Sequence, residues 1–116
     1  MLFRSLRSSV QGHIFVVLND PTRTGGNVLL VNSTTFRSPR DDNEKVFTGQ
    51  DYSLLDHQSV IAYWGAADGA ATNVDNAIRG GLFTALPDVP EHTLERIIEA
   101  ARSSRHLSPA RKALLA

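Results

Sequence analysis

Two histidines, an aspartate and several hydroxyl side chains stand at the ends of apolar stretches in this chain. Asp56 and His57 precede the stretch 59–64, Ser-Val-Ile-Ala-Tyr-Trp, and His13 opens the stretch 13–18, His-Ile-Phe-Val-Val-Leu. An imidazole exchanges protons near neutral pH, because its unperturbed pKa is about 6.5. We therefore expect general acid–base chemistry, provided that the fold brings these strand ends to one cleft.

Hydroxyl and cationic side chains that can bind phosphate accompany the histidines. The apolar stretch 28–31 ends in Asn-Ser-Thr-Thr, and hydroxyls and guanidinium groups both donate hydrogen bonds to phosphate oxygens. The candidates for substrate contacts are Thr34, Thr35, Ser59, Arg37 and Arg23. Each of these residues also has an ordinary structural interpretation, because strand ends commonly carry hydroxyl side chains and polar loops commonly carry solvated arginines. Tyr63 and Trp64 are predicted to be core or dimer-interface aromatics.

Composition excludes several classes of function. The 116 residues predict one domain, 1–116, and the absence of cysteine excludes disulfides, thiolate zinc sites and a cysteine nucleophile. The histidines lack the close spacing of a zinc site, so we expect no metal and no cofactor. A net charge of zero gives no global electrostatic case for nucleic-acid binding, and 7% aromatic residues predict no stacking platform. No apolar run approaches the ~20 residues that span a bilayer, so a soluble protein is expected.

The order of the apolar stretches predicts a mainly β fold with C-terminal helices. Stretches 13–18 and 28–31 are separated by a short loop with proline and glycines, which favours an antiparallel hairpin. No helix intervenes between the early strands, so a small antiparallel barrel closed by a helical segment at about 90–116 is expected. The remaining predicted elements are a short strand at 44–48, strands at 59–64 and 81–86, and helices at 72–80, 90–101 and 109–115.

Helix signals mark the boundaries of these later elements. Thr72 is predicted to cap the first helix, and Gly80 is predicted to end it in the left-handed conformation. Ser108 and Pro109 are a typical start for the last helix. The long helix carries an apolar stripe that should cover one mouth or one face of the sheet, formed by Leu94, Ile97, Ile98 and Ala101.

Three of these segments resemble the MazF/PemK/Kid group of toxins, over roughly residues 12–101. They are the strand 13–18 with Asn-Asp-Pro after it, the strand 28–31 with its Asn-Ser-Thr-Thr end, and Leu-Asp-His-Gln-Ser-Val-Ile at 55–61. Members of that group are dimeric SH3-like barrels that cleave RNA without metal. An antitoxin whose disordered tail lies across the active groove holds them inactive.

The resemblance implies a cytoplasmic toxin endoribonuclease that binds RNA and a cognate antitoxin as a homodimer. Thr34 matches the hydroxyl residue of the family pattern, and the chemistry of the side chains adds His13 and His57 as catalytic candidates, with the base and the acid left unassigned between the two histidines. The chain departs from the family pattern where Gly12-His13 replaces an Arg-Pro pair and Gly65 replaces a glutamine. The missing Arg-Pro favours the alternative, a non-catalytic SH3-like module that recognises a peptide or nucleic acid.

Overall fold

The computed structural model describes residues 5–9 and 12–115, and within them it shows one antiparallel sheet of six strands with three α-helices. The strands are β1 (Ser5–Ser8), β2 (Ile14–Val17), β3 (Asn27–Thr35), β4 (Ser59–Ile61), β5 (Ala67–Ala70) and β6 (Phe83–Ala85). The helices are α1 (Ala71–Arg79), α2 (Glu91–Ser103) and α3 (Pro109–Ala113). The predicted antiparallel, mainly β fold with C-terminal helices is confirmed at this level.

Strand β3 organises the sheet because it pairs along both of its edges. β2 lies on one edge, while β5 and β4 lie one after the other on the second edge, against the first and last parts of β3. The strand order is β4-β3-β2-β1-β6, with β5 also beside β3. No pairing among the described residues joins β6 to β4 or β5, so the expected closed barrel is not formed there.

Helices bury the two faces of the open sheet, which explains why the sheet need not close on itself. Val16 of β2 points to one face and packs in a cluster with Ile97 of α2. Val17, the next residue, points to the opposite face and packs in a cluster with Val74 of α1. This alternation follows from the two-residue repeat of a strand. The prediction that α2 covers a face of the sheet is confirmed.

The predicted strand boundaries are only partly correct. The stretch 59–64 is a strand only to Ile61, because Tyr63–Gly65 form a 3₁₀ turn. The predicted strand at 44–48 is reduced to one bridge between Phe47 and Ser59. β5, with the sequence Ala-Asp-Gly-Ala, was not expected from its residues, since none is β-branched or aromatic.

The predicted helix ends differ in two places. Thr72 lies inside α1, whose N-cap is Ala70 without a side-chain hydrogen bond. Gly80 keeps a right-handed φ of −81°, and Gly81, with φ of +80°, makes the left-handed turn instead. The start of α3 is as predicted, because the Ser108 hydroxyl accepts a hydrogen bond from the Arg111 N–H at 3.2 Å. In the described part of the chain, no helix has the length and apolarity to cross a bilayer.

Candidate active site

A cleft of about 260 Å³ lies where β2 begins and β3 ends. The loop that leads into β4 forms its other wall. The side chains with acid–base, hydroxyl or cationic character in its lining are Arg7, His13, Ser33, Thr34, Thr35, Asp56, His57 and Ser59. The structure therefore brings together the three residues predicted to be catalytic, although 44 positions of sequence separate the first from the last.

Strand pairing brings the start of β2 and the end of β3 to the same end of the hairpin. Phe15 of β2 pairs with Asn32 of β3 in antiparallel register. His13, just before β2, and Thr34, near the end of β3, therefore lie toward the same end of the two strands, and both line the cleft. On its other side, Thr34 pairs with Val60 of β4. The hairpin geometry thus explains how two residues far apart in sequence come to line one cleft.

His57 contacts Asp56 on one side of its ring and is hydrogen-bonded to Thr35 on the other, in the wall of the cleft. Asp56 Oδ1 lies 2.5 Å from His57 Nδ1, and Thr35 Oγ1 lies 2.9 Å from His57 Nε2. An ionised carboxylate only accepts hydrogen bonds, so this contact favours the tautomer with the proton on Nδ1, in which Nε2 accepts from the Thr35 hydroxyl. The side chains of His57 and Asp56 are 53% and 86% exposed. The ring is therefore held in one orientation and remains accessible to a ligand.

Ser59 holds the histidine loop instead of facing the cleft as a free donor. Its side chain is buried at 3% exposure, and its hydroxyl donates to the backbone carbonyl of His57 at 3.2 Å. Ser59 also pairs with Thr35 in the sheet register. Its hydroxyl is thus already engaged by the protein, which favours a positioning role for this residue, while the predicted substrate contact stays a prediction.

The two arginines predicted to bind substrate do not join the cleft lining. Arg23 lies in the 3₁₀ turn Pro21–Arg23 between β2 and β3, at the opposite end of the hairpin from His13, and lines a separate cavity of about 270 Å³. Arg37 is exposed, and its backbone N–H donates to Asp41 Oδ2 at 2.9 Å. Arg23 is distant because a hairpin loop lies at the opposite end from the free strand ends, whereas Arg37 follows the end of β3 but is not among the residues that line the cleft.

Arg7 of β1 provides the cationic side chain of the cleft, which sequence reasoning missed. It pairs with Ile14 in the register of β1 and β2, and it lines the cleft. Leu6 before it is fully buried on the other face of the sheet. The Leu-Arg alternation is a weak strand signal that could have indicated this placement. Because Arg7 lies in a polar N-terminal stretch with no strong strand pattern, the sequence did not indicate it as a site residue.

Neither a metal site in the described residues nor a similar known protein indicates the function of this cleft. Across residues 5–9 and 12–115, no group of three or more His, Cys, Asp and Glu side chains is arranged to hold a metal ion. The chain has no significant match to any protein-family model, curated protein or solved structure. The function is therefore inferred from the geometry of the cleft.

Proposed function

We propose that this chain is a metal-independent endoribonuclease of the MazF/PemK kind that cleaves single-stranded RNA. The observation that carries the proposal is the cleft in which His13, Thr34 and His57 lie together with Arg7. These residues supply two proton-transfer groups, a hydroxyl donor and a cation. That is the set of groups that metal-free cleavage of RNA requires.

The contacts of His57 support the role of general base for this residue. With the proton on Nδ1, facing Asp56, Nε2 would present its lone pair to a hydroxyl group. In the ligand-free protein that hydroxyl belongs to Thr35. The 2′-hydroxyl of a bound ribose would take its place at Nε2, because it is a hydrogen-bond donor of the same kind.

His13 is then the general acid. The ribose 2′-oxygen attacks the adjacent phosphorus while Nε2 of His57 takes its proton. The bond between phosphorus and the 5′-oxygen breaks, and protonated His13 gives a proton to the leaving 5′-oxygen. The products are a 2′,3′-cyclic phosphate and a 5′-hydroxyl. His57 has gained one proton and His13 has lost one, so the protons balance. Each of the two proton transfers contributes about 10²–10⁴ in rate.

Arg7 and Thr34 stabilise the charge that develops on the phosphate oxygens. A guanidinium group suits this task because it remains charged and offers paired donors to two oxygens. In the MazF/PemK pattern an arginine stands directly before the strand that contains Ile14. Arg7 would take over its role from the neighbouring strand β1, at the same end of the sheet, where it pairs with Ile14. The Thr34 hydroxyl adds a neutral donor from β3.

The same proposal includes the biological setting of such an enzyme. The chain would be the toxin of a toxin–antitoxin pair in the cytoplasm, act as a homodimer, and be held inactive by an antitoxin segment that covers the cleft. Its fold would be an open relative of the SH3-like barrel. The long central strand β3, which pairs with β2 on one edge and with β4 and β5 on the other, supports this relation.

A non-catalytic binding module is the second candidate. The large exposure of His57 and Asp56 favours it, because water weakens the electrostatic interactions on which catalysis depends. Such a module would bind RNA or a peptide in the cleft and leave it uncut. The two functions therefore differ in product formation and not in binding.

The test is digestion of a single-stranded RNA by the purified full chain, with a chelator present, between about pH 5 and pH 8. We expect fragments that end in a 2′,3′-cyclic phosphate, and no cleavage of the same sequence made of DNA, which lacks the attacking hydroxyl. His57→Ala and His13→Ala should each remove cleavage while circular dichroism shows an unchanged fold.

His92→Ala is the matched control, because His92 is exposed on the first turn of α2 and is not among the residues that line the cleft. It should cleave like the natural chain. Full activity of His57→Ala, or binding of RNA without cleavage across this pH range, would reject the nuclease and favour the binding module.

A further inference from the structure

Trp64 is a large exposed aromatic side chain in the turn that follows β4. It is the chain's single tryptophan, and it is 45% exposed, while Tyr63 before it is buried. The 3₁₀ turn Tyr63–Gly65 explains the contrast, since consecutive side chains in such a turn point about 120° apart. The low aromatic content of the sequence did not suggest a stacking surface, but a single placed indole can provide one.

A fixed guanidinium group connects this indole to the cleft. The Arg40 guanidinium lies 5.2 Å from the centre of the Trp64 ring. It donates to both carboxylate oxygens of the fully buried Asp41 and, at 3.0 Å, to the backbone carbonyl of Thr35. These bonds hold the guanidinium in one plane, so that Arg40 is ordered before any ligand binds.

Thr35 contacts residues of both the cleft and the group around Trp64. Its hydroxyl contacts Nε2 of His57 in the cleft, and its carbonyl accepts the hydrogen bond from Arg40 beside Trp64. His106 meets the ring of Trp64 nearly edge-on, with centroids 6.0 Å apart. Three flat groups, an indole, a guanidinium and an imidazole, therefore lie together, and the bond between Arg40 and Thr35 joins them to the lining of the cleft.

We propose that Trp64 and Arg40 form a stacking subsite for one nucleobase of the RNA strand that occupies the cleft. This inference rests on the proposed function and names a further contact of the same substrate. Indole and guanidinium faces both stack on nucleobases, and such stacking is tolerant of sequence because every base has a flat π-face. A protein partner or a second copy of the chain on Trp64 is the competing outcome.

The charges around Trp64 and Arg40 limit the proposed stacking subsite to one base. The cavity of about 490 Å³ beyond His106 contains both signs of charge in its lining, from Glu44, Lys45, Glu99 and Arg105. Such a surface offers no net attraction to a phosphate backbone. We therefore place the end of the RNA contact at Trp64.

Because Trp64 is the only tryptophan, its fluorescence reports on the subsite directly. The natural chain is titrated with a single-stranded hexanucleotide that carries 2′-O-methyl groups and cannot be cleaved. We expect this ligand to quench the fluorescence, and a 2′-O-methyl dinucleotide that fills only the cleft to quench it much less. Equal and negligible quenching by both ligands, under conditions where anisotropy shows that the hexanucleotide is bound, would overturn the subsite.

Substitution gives an independent readout. In anisotropy titrations with the labelled hexanucleotide, Trp64→Ala should weaken binding about 5- to 150-fold, the range for losing one stacked base. Trp64→Phe should retain most of the affinity. Leu82→Ala is the control, since Leu82 is 59% exposed but lies before β6 and not beside Arg40.

The outcomes separate the subsite from the nuclease. If Trp64→Ala binds the hexanucleotide as tightly as the natural chain does, while His57→Ala still abolishes cleavage, the subsite is wrong and the enzyme stands. If no RNA is cleaved but the hexanucleotide still quenches Trp64, the nuclease is wrong and the stacking surface stands. If Trp64→Ala turns a dimer into a monomer in sedimentation and leaves RNA affinity unchanged, the indole is a subunit contact and the subsite is rejected.

Discussion

The hydroxyl of Thr35 and Nε2 of His57 lie 2.9 Å apart, across the gap between the end of β3 and the loop that leads into β4. This contact fixes the direction in which the imidazole points. Because Asp56 holds the opposite nitrogen, the ring has one nitrogen engaged by a carboxylate and the other turned to a hydroxyl. The arrangement is suited to removing a proton from a hydroxyl group.

The first prediction concerns this histidine and the carboxylate that orients it. His57→Ala should lower the rate of RNA cleavage by about 10²–10⁴, the usual contribution of a proton-transfer group. Asp56→Asn should cause a smaller loss, in kcat and not in KM, and should shift the pH profile of kcat. The profile is the decisive measurement, since a merely structural change at this exposed position would leave its shape unaltered. Asp42→Asn, at another exposed aspartate, provides the control.

The second prediction concerns the cation of the cleft. Arg7→Gln should lower kcat by about 10²–10³, because a donor to the developing negative charge is removed. Arg7→Lys should restore part of the rate, since it keeps the charge but not the paired donors. Arg79→Gln, at an exposed arginine that ends α1, should have no effect. Unchanged kinetics of Arg7→Gln would show that the phosphate is bound elsewhere.

The third prediction concerns acid stability. The hydrogen bonds from the Arg40 guanidinium hold the pKa of Asp41 below its ordinary 3.8, with help from the Arg37 N–H and against the opposing effect of burial. A depressed folded-state pKa means that the ionised carboxylate stabilises the fold at neutral pH. This contribution is present above the unfolded-state pKa and is lost as the pH falls below about 4 and through the folded-state value.

Urea denaturation at a series of pH values checks this expectation. Asp41→Asn should have a lower midpoint than the natural chain at pH 7, and the gap should narrow as the pH falls below about 4. Asp42→Asn, next to it and exposed, should follow the natural chain throughout. A constant gap between Asp41→Asn and the natural chain at all pH values would contradict the linkage.

The fourth prediction concerns the packing of α2. Ile97 is buried in the main core, and its carbonyl accepts a hydrogen bond from the Tyr63 hydroxyl at 2.8 Å. Ile97→Ala should reduce the free energy of unfolding by about 2–5 kcal/mol, since it leaves a cavity in that core. Ile97→Asp should be worse, because it buries an unpaired charge. Glu95→Ala, on the exposed side of the same helix, should cost little; a loss equal to that of Ile97→Ala would show that α2 does not pack as described.

Local patterns in the sequence predicted the elements that carry strong signals. The hairpin of β2 and β3, the apolar stripe of α2 and the capped start of α3 depend on residues within a few positions of one another. β5 was missed because alanine, aspartate and glycine have low strand propensity, and pairing with β3 overrides it. The closed barrel was wrong because helices, and not a continuous ring of strands, bury the faces of the sheet.

The convergence of His13, Thr34 and His57 could be anticipated, because antiparallel neighbours bring strand ends to the same edge. The inclusion of Arg7, the burial of Ser59, the exclusion of Arg23 and the meeting of Arg40 with Trp64 could not. Those placements depend on which face each side chain occupies and on which distant strand or loop packs beside it. A linear pattern encodes the alternation of side chains within an element, but long-range pairing and packing decide what each side chain then meets.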